Sequence, residues 1–143
     1  MASWSEVEAQ APELAGRARA FFDAHRHKTI ATLRRDGSPR ISGIESEFVD
    51  GELRFGSMAR GVKALDLLRD PRFALHSASD EPTVWKGDAK LAGLAHEIKS
   101  EGDSHRFRAD IRELVVVSIG DPRDHIVIAS WHEGRGLSEL KRY

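Results

Sequence analysis

The residues best suited to chemistry in this chain lie in segment 57–63, Ser-Met-Ala-Arg-Gly-Val-Lys. The sequence pattern places this segment where a strand ends and a helix begins. Free backbone N–H groups at a helix start bind anions, and Arg60 and Lys63 would add charge-assisted hydrogen bonds. The segment therefore predicts a site for the phosphate of a cofactor or substrate. The alternative is an ordinary helix start with solvated basic side chains.

Two further sets of residues have types that are used in binding and catalysis. Trp131 ends a predicted strand and is followed by a glycine-rich segment. This tryptophan could stack on a planar ring, or it could plug a barrel mouth or a subunit seam. Glu45 and Glu47 share one face of another predicted strand. Two neighbouring carboxylates can act as a general acid and base, although a solvated strand face gives the same pattern.

The composition excludes several other chemistries. The chain has no cysteine, which removes disulfides, thiolate metal sites and cysteine nucleophiles. It has no P-loop, HExxH, GxSxG or EF-hand sequence, and its 7 histidines include no pair at metal-ligand spacing on a predicted helix. We therefore expect no metal site. The 22 basic and 23 acidic residues give a net charge of −1, which argues against nucleic acid or an anionic membrane as partner.

The length of 143 residues corresponds to a single domain, residues 1–143. The N-terminus has neither the basic segment nor the apolar segment of a signal peptide. No apolar run approaches the ~20 residues of a membrane-spanning helix. A cytoplasmic protein that acts on a small molecule is the resulting expectation.

The first part of the chain, residues 1–27, is predicted to be helical. Apolar residues recur there every three or four positions, which predicts one amphipathic N-terminal helix. Ser5 and Glu8 fit a capping box, and Pro12 either restarts the helix or kinks it.

The remainder, residues 28–143, is predicted to be mainly β with a short inserted helix over 58–69. Asp-Gly pairs at 36–37 and 50–51 mark tight turns, which favour an antiparallel meander over a βαβ unit. The continuous apolar run within 108–120 is typical of a strand buried on both faces. Other strands are predicted at 28–33, 40–49, 52–56, 72–79 and 125–131, and residues 84–98 are predicted to form one or two strands. The fold class is mainly β with flanking helices, a small barrel of six or seven antiparallel strands.

In their order, these segments resemble the pyridoxamine 5′-phosphate oxidase-like family of flavin-binding split β-barrels. The shared pattern is an Ala-Thr-Leu strand, a DGxP hairpin, a second strand and a lysine that opens a helix ending in DPR. This chain carries it at Ala31-Thr32-Leu33, 36–39, Lys63 and 70–72, with a closing tryptophan-and-arginine motif at Trp131 and Arg142. The resemblance extends from about Lys28 to Arg142 and implies a six- to seven-stranded split β-barrel.

The resemblance also implies a homodimer with two flavin sites at the subunit interface and hydride transfer at an FMN ring. Because the same fold carries deazaflavin-dependent reductases, the deazaflavin coenzyme F-420 is the alternative cofactor. The positions that match the family's cofactor-binding residues are Ser42, Gly43, Ile44, Phe55, Gly56, Ser57, Arg60, Gly61, Val62, Lys63, Trp131 and Arg142. The resemblance implies that Trp131 and Arg142 reach the ring or the substrate from the other subunit.

Three positions depart from the family pattern. Oxidases proper carry an arginine and a lysine where this chain has Ser42 and Glu47, and an arginine where it has Val62. Fewer cations would meet an FMN phosphate, and vitamin B6 oxidation is not predicted. The alternative function is a non-catalytic flavin- or haem-binding carrier or sensor. A third possible function is that of an interaction module, in which the barrel has lost its cofactor.

Overall fold

One antiparallel sheet of eight strands organises the chain, whose residues 2–99 and 102–143 are described by a computed structural model. The strands are β1 (His27–Leu33), β2 (Pro39–Val49), β3 (Glu52–Ser57), β4 (Arg72–His76), β5 (Gly87–Ile98), β6 (His105–Ile119), β7 (Ile126–His132) and β8 (Gly136–Arg142). Their order in the sheet is β3-β2-β1-β4-β5-β6-β7-β8, and a further β3–β6 ladder closes the first six into a ring. The predicted antiparallel split barrel is confirmed.

The split in the barrel arises from β6, which changes neighbours along its 15 residues. Its first part, which includes Arg106 and Arg108, pairs with β3, whereas residues 113–119 pair with β7. The strands β7 and β8 therefore extend the sheet beyond the ring. Residues 114–116 are buried, as the continuous apolar run predicts.

Both predicted Asp-Gly turns are confirmed. Gly37 has a φ of 85°, and Asp36 Oδ1 accepts a hydrogen bond from the Ser38 backbone N–H at 3.0 Å. Asp50 and Gly51 have φ values of 52° and 75°. Two consecutive left-handed residues match the twist of an antiparallel hairpin, which is why Asp-Gly suits this position.

Three helices accompany the strands in the described ranges: α1 (Trp4–Gln10), α2 (Pro12–Asp23) and α3 (Val62–Arg69). The single N-terminal helix that we predicted is divided, because Pro12 starts a new helix at a position where its missing N–H costs nothing. The predicted capping box at Ser5 is wrong. Ser3 caps α1 instead, since its Oγ accepts a hydrogen bond from the Glu6 backbone N–H at 3.3 Å.

The inserted helix α3 begins at Val62, later than the predicted Met58. Arg60 has a φ of 61°, which lies in the left-handed region and does not continue a right-handed helix. Within residues 2–99 and 102–143, no helix is long and apolar enough to cross a lipid bilayer.

The helices α1 and α2 share one hydrophobic core with the barrel. Trp4 of α1 packs against Phe48 of β2, with ring centroids 4.5 Å apart. Within the ring, Phe55 contacts Phe73 and Phe107 at centroid distances of 5.2 and 6.0 Å. Buried aromatic side chains of this kind contribute about 1.5–3 kcal/mol each by removal from water. The interior of the barrel is thus filled by side chains.

The C-terminal residues Gly136–Arg142 form the strand β8, which the sequence pattern did not predict. Gly134 and Gly136 have φ values of 78° and 72°, and they turn the chain from β7 into β8. These two glycines supply the left-handed backbone conformation that the hairpin requires. Every residue of β8 after Gly136 is exposed.

Candidate cofactor-binding cleft

A cleft of about 410 Å³ lies on the outer surface between β2, β3 and the start of α3. It is lined by His27, Gly43, Ile44, Glu45, Gly56, Ser57, Met58, Lys63 and Ser104. Five of the predicted site residues meet there, namely Gly43, Ile44, Gly56, Ser57 and Lys63. The ladder between β2 and β3 brings the first four together, because Ser46 lies opposite Phe55.

The turn before α3, together with the start of that helix, is a candidate anion site. We call this segment, residues 57–63, the phosphate cradle. Gly61 occupies the N-cap position and has no side chain to accept the N–H groups of the first helical turn. A Cβ on Gly61 would collide with Ser57 Oγ, and it would lie 3.2 Å from the Met58 carbonyl oxygen. Only glycine at residue 61 therefore allows the Ser57 hydroxyl to lie this close to the start of α3. Free N–H groups at a helix start favour a phosphate or carboxylate.

Lys63 supplies a cation at this cradle and is held in place. Its Nζ donates a hydrogen bond of 2.8 Å to the Gly43 carbonyl oxygen, which joins α3 to β2. An ammonium group has three N–H donors, so two remain for an anion. Arg60 lies exposed on the turn just before the helix, and Val62 is 53% exposed.

The position of α3 is fixed by the buried carboxylate of Asp66, which is 2% exposed. Asp66 Oδ2 accepts from Thr32 Oγ1 and Arg40 Nε, both at 2.8 Å. Asp66 Oδ1 accepts from Arg69 Nη2 at 2.9 Å. Burial alone would raise the pKa of Asp66, but the hydrogen bonds from Arg40, Thr32 and Arg69 outweigh it and lower the pKa below its usual value. The network anchors the helix that carries Lys63 to β1 and β2.

The remaining predicted residues lie elsewhere. Phe55 points into the core, where it is 2% exposed, so only its backbone belongs to the strand beside the cleft. Ser42 is half-buried and pairs with Ile30 of β1. Trp131 is 1% exposed, and its indole N–H donates to Gln10 Oε1 at 3.1 Å. Arg142 is exposed at the end of β8, and neither it nor Trp131 lines the cleft of its own chain.

His27, Met58 and Ser104 also line the cleft, although no sequence pattern indicated them. His27 lies directly across the ladder from Glu45, and hairpin register alone would have placed the two together. Glu45 Oε1 accepts from Arg26 Nε at 2.9 Å, and Glu47 Oε1 accepts from Arg106 Nη2 at 2.9 Å. The two glutamates thus form separate exposed ion pairs with different arginines.

Solved structures with the same fold include one that is described as FMN-binding. A pyridoxamine 5′-phosphate oxidase-related, FMN binding protein from Nostoc punctiforme superposes with a TM-score of 0.65 and 13% identity over 96% of both chains. PhzG from Burkholderia lata, in complex with tetrahydrophenazine-1-carboxylic acid, gives a TM-score of 0.71 and 10% identity over 93% of this chain and 92% of PhzG.

A haem binding protein from Mycobacterium smegmatis also has this fold, with a TM-score of 0.62 and 14% identity over 90% of this chain and 87% of its own. No protein-family model matches the chain, and no curated protein matches it. At these identities the likeness concerns the fold. The chain has the split β-barrel of the pyridoxamine 5′-phosphate oxidase-related proteins, as the motif order predicted.

Proposed function

We propose that this protein is a flavin-binding oxidoreductase of the pyridoxamine 5′-phosphate oxidase-like family, with FMN in the cleft between β2, β3 and α3. The observation that carries the proposal is the cradle at Gly61, with Lys63 held beside it on the Gly43 carbonyl. A deazaflavin coenzyme is the alternative occupant, since the cradle would accept the phosphate of either. We also propose that the protein acts in the cytoplasm.

The residues of the cleft fit the polar parts of a flavin. The N–H groups of the first turn of α3, together with Lys63 and Arg60, would hold the phosphate. The backbone at Gly43–Ile44 and Gly56–Ser57 would lie along the ring, where the two glycines leave room for close approach. When bound, the cofactor supplies hydride transfer. The chain supplies position and electrostatics, in keeping with its lack of cysteine.

The proposal includes a homodimer whose clefts lie at the subunit interface. Support comes from β8, which is exposed on both faces and carries Leu137 and Leu140, 60% and 50% exposed. A strand this open gains stability when a second subunit covers it. Arg142, at the end of this strand, would reach the partner's cleft. Trp131 would support the β7–β8 hairpin from within the core.

A haem-binding carrier is the second candidate, favoured by two residues of the same cleft. His27 and Met58 both line it, and both residue types serve as axial haem ligands. The fold is also that of the Mycobacterium smegmatis haem binding protein. In this case the His27→Ala variant should lose the sharpened, shifted Soret band of bound haem, whereas His125→Ala, at a residue that does not line the cleft, should keep it.

Absorbance titrations of the purified chain with FMN, a deazaflavin and haemin test these assignments side by side. We expect FMN or the deazaflavin to bind with a shifted visible spectrum. A nicotinamide donor should then bleach the bound cofactor, and an added acceptor should restore its colour. Binding without bleaching would support the carrier. If none of the three ligands binds, the proposal of a cofactor site is wrong and the interaction module becomes the remaining function.

A further inference from the structure

Three arginines share the outer face of β3 and β6 beside the cofactor-binding cleft. Arg54 lies directly across the ladder from Arg108, and Arg106 is two residues away on the same face. The residues that alternate with them, Phe55 and Phe107, point into the core. Like charges directly opposite each other on neighbouring strands destabilise a sheet unless a counter-charge is present.

Acidic side chains neutralise two of these three arginines. Arg54 Nε donates to Glu52 Oε2 at 2.9 Å, and Arg106 Nη2 donates to Glu47 Oε1 at 2.9 Å. Arg108 has no acidic partner among the residues that the structure describes.

The other neighbour of Arg108 is also basic. On β5, His96 lies directly opposite Arg108, and its Nε2 is 3.4 Å from Asp110 Oδ2. The carboxylate closest along β6 is thus already engaged with a histidine. Arg108 is half-buried between two basic side chains, and its planar fork of N–H donors suits a carboxylate or a phosphate.

Two of these arginines lie at one end of a trough that continues from the cofactor-binding cleft. A second cleft of about 370 Å³ is lined by Arg54 and Arg106, and it shares Glu45 and Gly56 with the first. Gly56 lies opposite Arg106 on this face and has no side chain to divide the two clefts. The trough therefore leads from Lys63 to Arg54 and Arg106, and Arg108 borders it across the ladder from Arg54; we call these three arginines the arginine end.

We infer that the arginine end binds the carboxylate or phosphate of an organic anion, which is the substrate class of the proposed oxidoreductase. The statement that this anion lies next to a flavin ring rests on the proposed function. Its binding at the arginine end does not depend on that function. Its apolar body crosses Gly56, which both clefts share. Glu47 competes for Arg106 and limits the affinity.

The test uses the full chain without added cofactor and three probes of similar shape: benzoate, phenyl phosphate and neutral benzamide. Binding is followed by calorimetry and by the NMR signals of the arginine Nε–H groups. We expect both anions to bind, benzamide not to bind, and Arg108→Gln to weaken anion binding about tenfold. Glu47→Gln should strengthen it, because Arg106 becomes available. Arg123→Gln, an exposed arginine far along the chain, is the matched control.

Three outcomes would overturn the inference. One is equal binding of benzamide and benzoate, and another is unchanged benzoate affinity in a natively folded Arg108→Gln variant. The third is a variant that alters self-association and leaves benzoate binding intact, since Arg108 would then be a subunit contact. An FMN titration separates the two claims. Anion binding without FMN binding contradicts only the proposed function, and FMN binding without anion binding contradicts only this inference.

Discussion

At the scale of single residues, the proposed phosphate site depends on Gly61 and Lys63. Glycine lets the Ser57 hydroxyl approach the first turn of α3, and Lys63 of that turn is hydrogen-bonded to the Gly43 carbonyl oxygen. The residue types in segment 57–63 predict an anion there, and this stays a prediction. The anchoring of Lys63 was not predictable, because it depends on how closely α3 approaches β2.

Replacing Lys63 with alanine should weaken FMN binding by about 1.5–3 kcal/mol, the contribution of a hydrogen bond to a charged group. Fluorescence titration of FMN measures this loss. Lys90→Ala, which removes an exposed lysine from β5, should leave the affinity unchanged. Equal affinity of the Lys63→Ala and native proteins would remove Lys63 from the site.

Replacing Gly61 with alanine should lower FMN affinity, because the new methyl group displaces the Ser57 hydroxyl and fills the cradle. The φ of Gly61 is −56°, so backbone strain does not contribute. Gly16→Ala is the matched control, since it lies in α2 with nothing within 4 Å of the added methyl. We expect that variant to bind FMN normally and to be stabilised by about 0.5–1 kcal/mol, as alanine favours a helix over glycine. A Gly61→Ala protein with native FMN affinity would contradict the cradle.

At the scale of elements, the position of the site depends on how α3 is held. The DPR segment that ends this helix has a clear physical role. Asp70 accepts hydrogen bonds from the backbone and side chain of Arg72, which lower the pKa of Asp70 to about 2. The motif therefore stops α3 and starts β4. Asp66 holds α3 against β1 and β2. No sequence pattern indicated this role, because the hydrogen-bond partners of Asp66 come from β1, β2 and α3 together.

The Asp66→Asn variant should lose at least about 2 kcal/mol of unfolding free energy, since two arginines lose a buried charged acceptor. The native pKa of Asp66 is lowered, so its stabilisation is present above the unfolded pKa near 4 and is lost as pH falls through the lower folded value. We therefore expect a shallower decline of stability in acid for this variant. Urea unfolding between pH 6 and 3 measures it, with Asp103→Asn as the exposed control. Parallel pH profiles for Asp66→Asn and the native chain would contradict this role.

At the scale of the whole molecule, the sequence predicted the barrel well and the tail poorly. Asp-Gly turns and β-branched segments are local signals, and both hairpins formed as expected. The strand β8 has no apolar alternation and takes its shape from β7 and from two turn glycines. The hydrogen bond from buried Trp131 to Gln10, at the other end of the chain, could not be predicted from a local pattern.

The proposed dimer predicts that light scattering gives twice the chain mass of 15.9 kDa. If Arg142 of one subunit serves the cleft of the other, Lys63→Ala and Arg142→Ala proteins should each bind FMN weakly. When the two are unfolded together and refolded as a mixture, each heterodimer regains one intact cleft, and a population of tight FMN sites returns. Recovery of no tight sites, with heterodimers present, would place Arg142 outside the partner's cleft.

The ladder between β3 and β6 also sets an order of events during folding. It joins Arg54 to Arg108 and Ser57 to His105, residues far apart in the chain, whereas β1, β2 and β3 are linked by tight local turns. Contacts between distant residues form late because loop closure costs entropy. We therefore expect the β1–β3 meander, with Gly43 and Gly56 of the cleft, to form early, whereas the arginine end exists only after the ring has closed. A nascent chain would acquire the two halves of its trough at different times.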